Sequence, residues 1–196
     1  ALKRAFDVIA STIMIVILSP LLIIISVLIV TDSKGGVFYR QERVTQYGKK
    51  FRIFKFRTMV ANADKIGTQV TVSNDNRITR IGAVIRKYRI DEIPQLFNIL
   101  LGDMSLVGTR PESVHYVKHY TPEMMATLLM PAGVTSEASI LYKDEAKLLD
   151  KADDVDRVYI ERVLPDKMKY NLENIRKFGC WRDIVIMIKT VFAVIH

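Results

Sequence analysis

The sequence predicts a mainly α-helical α+β protein. An apolar N-terminal helix, broken at Ser19-Pro20, sits in a membrane and precedes a membrane-associated polar domain with one small β-hairpin. Three observations point there. Val8 to Val30 carries no charge, and at about 1.5 Å of rise per residue roughly 20 apolar residues cross a bilayer core. Val37 to Met59 alternates around the polar turn TQYGKK as hairpin strands do. The ordered segments beyond it read chiefly as helices. The boundaries expected are 1–34 for the membrane element and 35–196 for the polar domain, the two forming one functional unit.

The chain has 196 residues, enough for one domain with a real core. Its 29 Lys and Arg against 21 Asp and Glu give a net charge of +8, a surplus that suits phosphate-bearing partners. The single cysteine, Cys180, excludes a disulfide framework and a cysteine metal site. A reducing compartment is the default for the polar part.

In the apolar run, Pro20 removes a helix donor and crowds the carbonyl of Val16. Ser19 can bond a backbone carbonyl and ease that break, so two half-helices with a bend are expected. Lys3 and Arg4 precede the run, while Lys34, Arg40 and Arg43 follow it. Both flanks therefore favour the same, cytoplasmic side. The residues alone leave a re-entrant helix and a kinked span equally open. A cleaved signal fits less well, because the run is long and no small-residue cleavage site follows. Asp7 is expected to cap the first half-helix or to pair with Arg4.

In the second hairpin strand Phe51, Ile53, Lys55 and Arg57 share one face. Val60 to Asn76 reads as a polar loop. Thr79 suits the N-cap of a helix running RIGAVIRKYRI. A helix led by Pro94 ends at Gly102, which suits a left-handed C-cap. Further helices are expected near Pro122–Met130, Lys143–Val163 and Trp181–Ile195. For the last of these, packing on the core is preferred to lying in the interface.

The stretch RIDEIPQLFN places Asp91 and Glu92 side by side before the Pro94 helix, with Arg86, Arg89 and Arg110 close in sequence. Helix capping would explain acids there. The helix dipole and the arginines would also keep both carboxyls ionised, with pKa values below the ordinary range. An ionised carboxylate serves as a nucleophile or metal ligand. Attack on a phosphodiester needs cations around it, Mg²⁺ and arginines being the common solution. Two adjacent acids also differ from a glycosidase pair, whose members face each other across a sugar.

These stretches together resemble the bacterial sugar transferase family, the small monotopic phosphoglycosyl transferases. The matching segments are KRAFD (3–7), Ser19-Pro20, VFYRQERV (37–44), FRIFKFRTM (51–59), IRKYRIDEIPQLFNILLGDMSLVGTRP (85–111) and GVTS (133–136). The resemblance implies a re-entrant helix with both ends cytoplasmic and a catalytic domain on the cytoplasmic face of the bacterial inner membrane. It implies transfer of a sugar 1-phosphate from a UDP-sugar to polyprenol (undecaprenyl) phosphate, releasing UMP, as the first membrane step of surface glycan assembly. Asp91 would carry the phosphosugar covalently and contact Mg²⁺, with Glu92 as its partner acid. Arg86, Arg110, Lys55 and Arg57 match basic family positions near the phosphates, and Arg89 joins the substrate-binding set. Oligomeric state is left open, with room for a homodimer.

The chain departs from the family pattern at several points. Gly108-Thr109-Arg110-Pro111 stands where Gly-Pro-Arg-Pro is usual, and Pro131-Ala132-Gly133 where Arg-Pro-Gly is. Leu141-Tyr142-Lys143 replaces an asparagine-glycine-arginine region linked to nucleotide and sugar recognition, with Lys143 standing in for the arginine. Tyr170-Asn171 replaces a tyrosine-aspartate element, after an extra charged stretch from Lys147 to Asp166. The competing reading is a non-enzymatic, membrane-anchored basic module binding acidic lipid or nucleic acid. The cations gather around a carboxylate pair instead of forming an open stripe, which weighs against nucleic acid.

Overall fold

The computed structural model describes residues 2–63, 75–145, 154–177 and 179–195. Helix α1, Leu2–Asp32, is one helix of 31 residues with Pro20 inside it. The hydrogen bonding is helical through Ser19-Pro20, so two separate half-helices are not what forms. Ser19 Oγ donates to the Val16 carbonyl at 2.8 Å, the acceptor that Pro20 leaves without its amide. Most of α1 is uncovered: only 11% of its most apolar window is buried. Ile9, Ile13, Val16, Ile17, Ile23, Ile24 and Val27 face outward.

Strands β1 (Phe38–Val44) and β2 (Lys50–Phe56) pair antiparallel, Phe38 opposite Phe56 and Val44 opposite Lys50. Their turn, Gln46–Gly48, has Tyr47 at φ 58° and Gly48 at φ 75°. Helix α2 (Arg80–Lys87) starts as expected, Thr79 accepting from the Gly82 amide. It stops before RIDE. A 3₁₀ turn, Ile90–Glu92, follows, and Pro94 is the N-cap of α3 (Gln95–Leu101). Gly102, at φ 89°, ends α3 in the expected left-handed form.

A second sheet was not expected. Strand β3 (Met104–Val107) is buried throughout and pairs parallel with β4 (Ala132–Thr135). Between them lie α4 (Val114–Val117) and α5 (Pro122–Met125), the latter continued by a 3₁₀ turn to Leu129. The ladder runs on into the loop after β3: Gly108 N–H donates to Thr135 at 3.0 Å, and Gly133 N–H to Thr109 at 2.9 Å. Backbones approach so closely there that a Cβ on Gly133 would lie 2.0 Å from Gly108 N.

Helix α6 (Glu137–Leu141) follows β4. Helix α7 (Val155–Val158) passes through a π turn, Tyr159–Val163, into α8 (Leu164–Arg176), with Pro165 in the first turn of α8. The charged helix therefore extends well past Val163. A proline is tolerated there because it falls in the first turn after a widened one. Parts of two expectations, residues 64–74 of the polar loop and 146–153 of the charged helix, lie outside the described residues. The last helix, α9, is Cys180–Ile195.

The main core joins Phe51 and Ile53 of β2, Leu96 and Ile99 of α3, the β3–β4 sheet and Ile186 of α9, with Ala10, Met14 and Leu18 of α1 against it. A second cluster seats Ile25 and Ile29 of α1 on Phe56 and Ile85. Both halves of α1 thus pack on the domain, and both ends are tied to it. Lys3 pairs with Asp183, and the Arg4 guanidinium donates to the carbonyls of Ile99 and Leu100 at the end of α3. At the far end, Asp32 accepts from the Ile81 amide at 3.1 Å. Asp7 neither caps nor pairs with Arg4: it is buried and accepts from the Leu106 amide at 3.2 Å. Helix α9 does two things. Ile186 is buried, while Trp181, Ile188, Val191 and Phe192 expose an apolar face.

Candidate active site

Strand alternation sets the first side chain. Lys55 lies on the inward face of β2 with Phe51 and Ile53, near the strand end, so its ammonium reaches the 3₁₀ turn with the side chain largely covered. There Lys55 Nζ donates to Glu92 Oε1 at 3.0 Å and stands 3.9 Å from Asp91 Oδ2. Asn98 fixes this relation between strand and helix. Fully buried on α3, its Oδ1 accepts from the Phe54 amide at 2.7 Å and its Nδ2 donates to the Arg52 carbonyl at 3.0 Å.

Arg89 holds the turn itself, in the left-handed region at φ 52°. A bulky residue there costs conformational energy that the surroundings must offset. Its Nη1 lies 4.0 Å from Glu92 Oε2, and its Nη2 donates to the Lys143 carbonyl at 3.0 Å. Arg110 arrives on the loop after β3. Its Nη1 donates to Glu92 Oε2 at 3.1 Å while Nη2 donates to Oε1, a two-point grip on one carboxylate.

Glu92 is therefore a fully engaged anion. Burial opposes its ionisation, but Arg110, Lys55 and Arg89 outweigh that and hold its carboxyl well below the usual range. Glu92 in turn raises the pKa of Arg110, while burial lowers that of Lys55. Asp91 behaves differently, which corrects the expectation that both acids are depressed. Burial, joined by the charge of Glu92, raises the Asp91 carboxyl above its ordinary value against the pull of Lys55, Arg86 and Arg110. Its side chain keeps 13% of its surface exposed, and the short α3 begins only at Gln95, too far on for its dipole to dominate. The neighbouring acids thus divide: one locked and ionised, the other without a short ion pair and more basic.

Behind Arg110 lies a network not anticipated from sequence. Glu112, buried, accepts from the Tyr159 hydroxyl at 2.7 Å and from Lys167 Nζ at 3.4 Å. Lys167 also donates to Glu145 at 2.9 Å, and Arg43 Nη1 donates to the Pro111 carbonyl at 3.4 Å. Burial opposes the charge on Glu112, but Lys167 and Arg43 keep its pKa below the ordinary range. Pro111-Glu112 is thereby pinned, and Arg110 with it. An acid directly after Arg110-Pro111 and an arginine in QERV were the available signals.

Of the residues singled out from sequence, Asp91, Glu92, Lys55, Arg89 and Arg110 come together, and Arg86 acts on Asp91 through its charge. Lys143 stands at the rim, its carbonyl on Arg89 and its Nζ donating to the Ala193 carbonyl at 3.4 Å. Arg57 is elsewhere. Its guanidinium donates to the carbonyls of Ile29, Ser33 and Lys34, closing the end of α1, so it does not join the cations on Glu92. Among the described residues, no group of three or more His, Cys, Asp or Glu forms a metal cage.

Cations gathered on one carboxylate, beside a second that is left available, make an anion-receiving site on a domain with a long apolar helix. Comparison with known proteins is consistent with that class. The model of the bacterial sugar transferase family matches residues 1–196, and the chain belongs to that family. It is 38% identical over 197 residues to the UDP-N-acetylgalactosamine-undecaprenyl-phosphate N-acetylgalactosaminephosphotransferase of Aeromonas hydrophila, covering 99% of this chain and 44% of the relative. It is 35% identical to the UDP-glucose:undecaprenyl-phosphate glucose-1-phosphate transferase of Escherichia coli, covering 97% of this chain and 39% of that protein. A protein of the same description from Caulobacter vibrioides is 32% identical, over 96% of this chain and 68% of its own length. The chain thus spans less than half the length of the first two relatives.

Proposed function

We propose that this chain transfers a sugar 1-phosphate from a UDP-sugar to a polyprenyl (undecaprenyl) phosphate, at the cytoplasmic face of the bacterial inner membrane. The observation that carries this reading is the division of labour between Asp91 and Glu92. Glu92 has its oxygens occupied by Lys55 and Arg110, which leaves the more basic Asp91 as the available nucleophile.

In the first step an Asp91 oxygen attacks the sugar-bearing phosphorus. The bond from that phosphorus to the bridging oxygen breaks, and UMP leaves with the electron pair. In the second step a phosphate oxygen of the polyprenyl phosphate attacks the same phosphorus, and the Asp91 carboxylate is released. Glu92 keeps Lys55 and Arg110 in place, so the cations face the phosphates without reorganising during reaction. Arg86 and Arg89 add positive charge at the rim.

An incoming diphosphate would push the Asp91 pKa higher still, so charge must arrive with it. Asp91 fits a hard-cation ligand: an oxygen donor without a short ion pair, and Mg²⁺ is commonly held by one or two carboxylates plus substrate phosphates. Bound there, Mg²⁺ would supply neutralising charge to the diphosphate and to the departing UMP.

The reading extends to α1, which we take to enter and leave the bilayer on one face, bending at Ser19-Pro20. Support comes from its two ends, each tied to polar groups of the same domain, and from its uncovered apolar flank. A helix of 31 residues is about 45 Å long at about 1.5 Å per residue.

The test is a panel of UDP-sugars incubated with polyprenyl phosphate and Mg²⁺. Release of UMP with formation of a polyprenyl diphosphate sugar is expected for one or a few donors. Release of free sugar instead would point to hydrolysis and contradict the reading.

A further inference from the structure

A cavity of about 410 Å³ lies between α1, α3 and α9, within the roughly 300–1,000 Å³ of ordinary ligand sites. Its walls are apolar: Met14 and Leu18 of α1, Ile93 and Leu96 around the start of α3, Met187 and Val191 of α9. Of the neutral polar groups in the wall, Thr135 Oγ1 pairs with Thr190 Oγ1 at 2.7 Å and Ser139 Oγ with Ser136 Oγ at 3.0 Å, and Tyr88 also lines it. The charged lining is Arg89, Glu92 and Lys143, with Glu92 belonging to the site described above.

We propose that this cavity takes the isoprenoid end of the polyprenyl phosphate, with the lipid phosphate between Arg89 and Lys143. The proposal rests on the transfer reaction above and gives its acceptor a place. Continuity with the membrane-facing surface favours a lipid. Met14 and Leu18 line the cavity, while Ile13, Val16 and Ile17 on the same turns of α1 are exposed. Val191 is itself half-exposed, so the outer wall is one helix thick. A nucleoside here would set most of its hydroxyls and ring nitrogens against apolar side chains, a costly arrangement. A tail ending in one anion matches a wall that is apolar with a few cations.

Arg89 Nη1 is 4.0 Å from Glu92 while its Nη2 donates to the Lys143 carbonyl at 3.0 Å, and Lys143 Nζ donates to the Ala193 carbonyl at 3.4 Å, at the far end of α9. Phosphate binding would draw Lys143 from α9 toward Arg89. Lys143, expected from sequence to read the donor, is thereby assigned to the acceptor.

The test uses the full chain in nanodiscs of phosphatidylethanolamine and phosphatidylglycerol, with a polyprenyl phosphate carrying a diazirine in its first isoprene units. Irradiation is expected to label peptides containing Met187–Val191 and Met14–Leu18, and excess undecaprenyl phosphate should compete. Met187→Trp and, separately, Val191→Phe should cut that labelling and raise the acceptor KM about tenfold or more, with membrane association and circular dichroism unchanged. Lys143→Gln should raise the KM for acceptor and not that for donor. Labelling confined to the outer face of α1, equal competition by phosphatidylglycerol, or a Lys143→Gln effect on donor KM alone would overturn the proposal. If the wild-type protein makes no lipid-linked product yet labels as described, the transfer reading fails and the lipid site stands.

Discussion

Lys55 and Glu92 meet at 3.0 Å across 37 residues of chain, and that contact organises the site. It joins the end of β2 to the turn before α3. It also leaves Asp91, the next residue along, with its nearest cation at 3.9 Å. The locked pair is the scaffold, and the neighbouring acid is left without a short ion pair.

Removing Lys55 should therefore be felt at Asp91. Burial and Glu92 already place the Asp91 pKa above its ordinary value, so the acid limb of kcat/KM is expected above the model-peptide aspartate value of about 3.9. Lys55→Met deletes the nearest cation and should move that limb to higher pH. It should also lower kcat/KM by about 10²–10³, the usual cost of losing one charge-stabilising donor. A pH–rate profile checks both, and an unmoved limb would separate Lys55 from Asp91.

Glu92 gives the opposite pH signature in stability. Its folded pKa is depressed, so its ion pairs contribute above the unfolded glutamate value of about 4.3 and are lost as pH falls through the folded value. Thermal melts from pH 7 to pH 3 should show a steep acid decline in the wild type. Glu92→Gln should flatten it while lowering stability at pH 7 by about 3–5 kcal/mol, because Arg110 and Lys55 lose their shared partner.

Asn98 is expected to be a positioning residue. Asn98→Leu leaves the Phe54 amide without the Asn98 acceptor, while the Arg52 carbonyl loses one donor and keeps Arg40 Nη2 at 3.3 Å. At about 1–3 kcal/mol for a buried unsatisfied group, a loss of roughly 1–3 kcal/mol is expected in urea unfolding. Activity should fall with it, since the register of Lys55 against Glu92 depends on that staple.

The placement of α1 predicts one-sided access. In a Cys180→Ser background, cysteines introduced singly at Leu2 and Gly36 should react with a membrane-impermeant maleimide in inverted inner-membrane vesicles and not in intact cells. Opposite accessibility of the two sites would establish a span.

Local features were legible in the sequence. The apolar run, the hairpin, the Thr79 cap and the Gly102 end each depend on residues adjacent in the chain. What was missed depends on distant partners. MSLV is too short to announce a strand, and its partner β4 lies beyond two helices. Alternation put Arg57 on the face of Lys55, but the open end of α1 claims its donors. Asp7 looked like a cap because Leu106, its partner, cannot be foreseen from the flank of a membrane helix. The carboxylates and most of the cations that the structure brings beside them are named by the sequence. The split between their pKa values is not, because burial is a property of the packed turn.

The central claim is that Asp91 carries the phosphosugar. Incubating the protein with Mg²⁺ and a UDP-sugar labelled in its sugar, without acceptor lipid, then digesting and sequencing by mass spectrometry, tests it most directly. The account predicts one phosphosugar on the peptide containing Asp91, discharged by polyprenyl phosphate and absent from Asp91→Asn. Transfer to lipid at undiminished rate by Asp91→Asn, or label on any other residue, would contradict it.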